Sequence, residues 1–195
     1  VGYALFAATV ALLGWLGAAR LLRRAGESTA HLSRISLITA VWACLQDSFA
    51  LMLHLSLALD FGGEALFFAL FLLFFVLFSL MDFHVLLGVW RVQRARELAV
   101  LGGAAVQRRA CAFQAKLYLA VVAYNYAMWR LFLAPAALAA HGALLWPQVA
   151  RIASQSVSPR FEADFALLFA AAKFLLFAYW RSCPGAFTAF RPRPA

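Results

Sequence analysis

The sequence predicts an all-α, polytopic transmembrane helical bundle of about six spans, and three observations carry that prediction. Of its 195 residues, 66% are hydrophobic and only 13% are charged, whereas about a quarter of the residues in a soluble domain are charged. The mean hydropathy of +0.84 is gathered into apolar stretches of spanning length, each bounded by Arg, Gly, Pro or Ser clusters. Stretches such as Ala65 to Phe78 are apolar at every position. That excludes the alternating pattern of a membrane β-barrel and leaves helices as the only spanning structure.

The spans follow in order. The first covers about residues 2–22 and is closed by Arg20, Arg23 and Arg24, after which Gly26 to Thr29 form a polar linker. A second covers 35–59, and the turn Asp60-Phe61-Gly62-Gly63-Glu64 is so short that the third, 65–90, must return beside it as an antiparallel hairpin. Residues 91–111 form the longest polar connection, a basic loop with a short helical extension around Gly102-Gly103. Span four covers 112–133. A short, Ala-rich fifth stretch over 135–150 either spans or re-enters, and a sixth span over 165–180 precedes a polar tail from 181 to 195. The chain forms one transmembrane domain. It opens on Val1 with an apolar run that has no charged leader, which reads as a start inside a longer or processed protein.

The net charge of +9 comes from 17 basic residues set mainly between the apolar runs. They read as topology markers and headgroup contacts, so membrane lipids are expected as partners and nucleic acid is not. The one-two and three-four connections are strongly basic and should face the cytoplasm or its equivalent. Cys44, Cys111 and Cys183 lie far apart without CxxC spacing, so neither a zinc site nor a disulfide framework is expected. HExxH, GxSxG and P-loop patterns are missing, and no catalytic constellation, cofactor or metal is predicted.

Ionisable residues inside spans are the informative positions, because each costs several kcal/mol if it faces lipid. Asp47 lies near the middle of span two beside Gln46, and His54, seven residues on, falls close to the same helical face. This face reads either as a polar groove for another transmembrane segment or a proton, or as a packing network inside the bundle. Lys173, central in the last span, is the natural partner for Asp47. Asp82 and His84 read as headgroup-boundary residues within pairing reach of Arg91 or Arg94. Tyr124, Asn125, Tyr126, Trp129 and Arg130 read as an interfacial anchor.

Several segments taken in order resemble a known family. They are Arg34-Ile35-Ser36-Leu37, Asp47-Ser48-Phe49, Leu53-His54-Leu55-Ser56, Phe78-Ser79-Leu80-Met81-Asp82, Leu86-Leu87-Gly88-Val89-Trp90-Arg91, Trp146-Pro147-Gln148-Val149 and Cys183-Pro184. Their collinear order is similar to the membrane region of the transmembrane RING ubiquitin ligases of the Golgi and endosome, the DSC-type ligases of fungi and their plant FLYING SAUCER relatives. The resemblance implies a bundle that selects membrane-protein clients and holds partner subunits, while a RING domain recruits the conjugating enzyme. After Cys183-Pro184 the chain carries neither the family's further span nor the zinc ligands of a RING, so ligase activity is not expected within these residues. The chain is then either the membrane portion of a longer ligase or a RING-less structural subunit of another membrane complex, such as a respiratory or photosynthetic assembly. Pro147-Gln148 also occurs in PQ-loop transporters, but the second Pro-Gln that a duplicated carrier would need is missing.

Overall fold

The structure, a computed structural model, describes residues 2–60, 64–131, 143, 146–155 and 163–182. Every described element is helical: α1 (Gly2–Glu27), α2 (Ala30–Ser33), α3 (Leu37–Asp60), α4 (Ala65–Val76), a π-helical segment (Leu77–Asp82), α5 (Phe83–Gln93), α6 (Ala95–Ala99), α7 (Gly103–Leu131), α8 (Trp146–Gln155) and α9 (Ala163–Ser182). By length and composition, three helical stretches among the described residues can cross a membrane: α1, α3 and the continuous run from Ala65 to Gln93. Helix α7 is long enough, but Arg108, Arg109, Lys116, Asn125 and Arg130 make it less apolar.

Helix α3 is the centre of the bundle. It packs against α4, the π segment, α5, α7 and α8, and from Ala43 to Leu51 every residue is buried. Helix α1 turns a seam of small residues inward, Ala4, Ala7, Ala11, Gly14 and Ala18, whose spacing of three and four keeps them on one face. Small side chains let backbones approach closely, and α9 lies along this helix. At Gly14 an added Cβ would stand 3.4 Å from Leu77 and 3.8 Å from Ala172, so the glycine sets the approach of α1 to the π segment and to α9.

Side-chain contacts fix the helix directions. Tyr3 meets His54, Gln93 meets Ile35, Trp90 stacks on Phe113, and Asn125 donates to Ser48 at 2.9 Å. Thus α1, α3, the run from α4 to α5, and α7 alternate in direction. The end of α1, the start of α3, the end of α5, α6 and the start of α7 share one end of the bundle, which carries Arg20, Arg23, Arg34, Arg91, Arg94, Arg96, Arg108 and Arg109. Around the middle, large apolar side chains such as Leu12, Met52, Leu72, Phe75, Leu119 and Val122 face outward, as lipid contact requires.

Helix boundaries differ from the sequence reading most over 91–111, and less at α1, which runs on to Glu27, and at α8, which runs to Gln155, past the expected end at 150. Helix α7 starts at Gly103 and α5 runs to Gln93, so much of the expected 91–111 loop is helical. The arginines there made the segment read as a loop, whereas a helix can carry arginines wherever it extends past the apolar layer. The Phe61-Gly62-Gly63 turn, most of the 135–150 stretch, Cys183, Pro184 and the rest of the tail lie outside the described residues.

Candidate functional site

The mid-span charges come from three elements. Asp47 sits halfway along α3, Asp82 ends the π segment, and Lys173 projects from α9. All three are buried. The Lys173 ammonium is ion-paired with the Asp47 carboxylate, and its Nζ lies 3.9 Å from Asp82 Oδ2. Neither carboxylate oxygen of Asp82 has a hydrogen-bond partner among the described residues. A cavity of about 10 Å³ adjoins the pair, lined by Gly14, Gln46, Asp47, Leu77, Ala172 and Lys173. That volume is close to the least that holds one water.

The π segment explains how Asp82 arrives there. Each π turn holds extra residue length relative to an α turn, so the run from Leu77 to Asp82 shifts the face that α5 presents relative to α4. Leu77, Asp82, Val85, Leu86 and Val89 are all buried as a result. Asp82 therefore does not lie at the headgroup boundary beside Arg91 or Arg94, as a regular helix suggested. Arg91 and Arg94 are exposed, and Arg94 and Arg109 bond Glu97 at 3.4 and 3.1 Å. His84 is exposed.

His54 belongs to a separate network. Its Nδ1–H donates to the Ala50 carbonyl at 2.7 Å, which leaves Nε2 to accept from the Tyr3 hydroxyl at 2.9 Å. That hydroxyl in turn accepts from Trp180 Nε1–H at 3.0 Å. The imidazole also stacks between Tyr3 and Phe74. Gln46, Asp47 and His54 therefore do not form an open polar face. All three are buried against α1, α4 or α9 because a 3.6-residue period on a central helix points inward as readily as outward.

At the basic end, α8 is docked by polar contacts that sequence reasoning missed. Gln148, 2% exposed, accepts from the Ser36 N–H at 2.6 Å and donates to the Arg34 carbonyl at 2.9 Å. Arg151 donates to the Ser33 carbonyl at 2.8 Å, and Gln93 donates to the Ile35 carbonyl at 2.6 Å. The break between α2 and α3 exposes backbone groups that helices leave unpaired at their ends, and three side chains satisfy them. Gln148 thus has a structural task, while Pro147 is half-buried and Trp146 is exposed. Elsewhere, Trp129 is 53% exposed and Arg130 stacks over Tyr126 at 5.5 Å, while Asn125 turns inward to Ser48.

No group of His, Cys, Asp and Glu among the described residues could hold a metal ion. No curated protein and no solved structure matches the chain. A family model described as the transmembrane E3 ligase/DUF2921 transmembrane domain matches residues 1–195. With its apolar spans and this full-length match, the chain is an integral membrane domain that belongs to the transmembrane E3 ligase/DUF2921 family.

Proposed function

We propose that the domain is a non-catalytic recognition and assembly module of a membrane-bound ubiquitin ligase, selecting transmembrane clients for quality control in Golgi or endosomal membranes. The chemistry of ubiquitin transfer belongs to a RING domain outside these residues. In this reading the basic end faces the cytoplasm, which puts α6 and α8 on the side where a RING would act. In this reading the chain makes about six crossings.

The observation that supports selection is the buried cluster of Asp47, Asp82 and Lys173. A buried ion pair is often no better for stability than apolar residues of similar volume, and ionisable groups at mid-membrane mark functional positions. Orphaned membrane proteins expose polar side chains that their missing partners would cover, and an intramembrane polar centre is suited to sense them.

The test is capture of single-span reporters by the full-length protein in native membranes, comparing an all-leucine helix with one bearing a central Asn. Polar reporters should crosslink several-fold more, and the Asp47→Leu/Asp82→Leu/Lys173→Leu triple variant, which leaves no lone charge of the cluster, should lose that preference while still eluting as a single species. Equal capture of both reporters would sink the proposal. The closed Asp47–Lys173 pair also favours a second reading, an accessory subunit in which the pair only holds helices together. In that case the triple variant would keep a stoichiometric partner and neither protein would discriminate between reporters.

A further inference from the structure

We infer that Asp47 and Asp82 form a receptor for a basic side chain at mid-membrane, and that α9 fills it through Lys173 as an internal stand-in for a client helix carrying an unpaired Lys or Arg. The inference rests on the client-selecting reading and gives it a substrate class.

The stoichiometry of the site comes first. Two carboxylates, one from α3 and one from the π segment, converge on a single ammonium. The ammonium closes on Asp47, and Asp82, 3% exposed, is left with both oxygens lacking hydrogen bonds among the described residues. The acceptors therefore outnumber what the resident lysine satisfies. A guanidinium, with five donors in a planar fork, suits two carboxylates better than a point-like ammonium does.

The two walls and the occupant are also attached differently. The carboxylates belong to α3 and the π segment, which pack directly against each other in the centre of the bundle. The lysine arrives on α9, which lies mainly along α1 and meets α3 away from the charges, where Trp180 packs on Phe49 and His54. Beside Lys173, α1 offers Gly14, where an added Cβ would stand 3.8 Å from Ala172, and towards the start of α1 the rings of Tyr3 and Phe6 meet Tyr179; a small residue at the level of the charge lets a helix approach closely. A foreign helix with a central basic residue could thus replace α9 on α1 and present its charge to the same carboxylates.

The experiment uses the full-length protein in native membranes and single-span reporters identical except for a central Leu, Asn, Asp, Lys or Arg. Capture should rank Arg at or above Lys, then Asn, with Lys about tenfold over Leu and Asp. The charge-exchanged variant Asp47→Lys/Lys173→Asp keeps the net charge and the pair, and should elute like wild type. It places the cation on the fixed wall, and should lose the preference for Lys and Arg. Asp82→Asn, which keeps the shape but not the charge, should weaken that preference as well. If Asn, Asp and Lys reporters are captured alike, the receptor is wrong although selection of polar clients stands. If the Leu reporter is captured as well as the rest, both fall. A charge-exchanged variant that still prefers Lys and Arg also overturns the receptor.

Discussion

Two polar centres tie α9 to the rest of the bundle, and they are built on opposite rules. The Tyr3–His54–Trp180 network is neutral and complete: each of its hydrogen bonds runs from a donor to an acceptor, and aromatic faces close around it. The Asp47–Asp82–Lys173 cluster, deeper along the same helices, is charged and, among the described residues, incomplete, with two acceptors for one cation and an Asp82 carboxylate that lacks hydrogen bonds. A complete network needs no explanation beyond packing, since satisfied polar groups fix a unique arrangement of helices. An incomplete one in the same bundle does need one, and in the receptor proposed above a client's cation completes it.

The sharpest way to break the comparison is Lys173→Leu. It removes the cation shared by two buried carboxylates, and breaking a buried pair from one side costs roughly 3–5 kcal/mol. The detergent-solubilised variant should melt well below wild type, and adding Asp47→Leu and Asp82→Leu in the same chain should recover most of the loss. If Lys173→Leu alone melts like wild type, the cluster holds no buried charge and the contrast with the His54 network disappears.

A smaller effect is expected at the other centre. Tyr3→Phe keeps the ring stack but strands His54 Nε2 and the Trp180 indole N–H, and leaving buried polar groups unpaired costs about 1–3 kcal/mol. The loss should appear as a lower melting temperature with no change in reporter capture. Altered selectivity in Tyr3→Phe would mean that the two centres act as one site, which would blur the distinction between a structural latch and a receptor.

How much of this was legible in the sequence follows from the same contrast. The partnership of Asp47 with Lys173 could be inferred because a charge inside a span must find its opposite, whatever the fold. The inward position of Asp82 could not, because reading the run from Ala65 to Trp90 as a regular helix ignores the π segment, and no residue type signals a π turn. Tyr3 was missed as the partner of His54 because the two are 51 residues apart and Tyr3 looks like an ordinary aromatic residue in an apolar run. Gln148 was noticed as part of a motif, but its task depends on the backbone groups of Arg34 and Ser36 across a long separation. The Gly102-Gly103 break falls at the start of α7, but the arginines that follow it made residues up to 111 read as a loop.

The smallest effect is expected where charges meet water. Glu97 pairs with Arg94 and Arg109 at the basic end with about half of each side chain exposed. Solvent and salt screen such contacts, which are typically worth about 0–1 kcal/mol. Glu97→Ala should therefore leave the melting temperature within measurement error of wild type. It also leaves topology intact, since removing an acid only increases the positive bias of that end. A large loss from Glu97→Ala would show that the basic end is packed against something that excludes water, and burial would then govern charges beyond the two centres within the bundle. With the expected small result, Lys173→Leu and Glu97→Ala together isolate the variable that matters. Both remove one charge shared by two opposite partners, and only the removal made away from water should be felt.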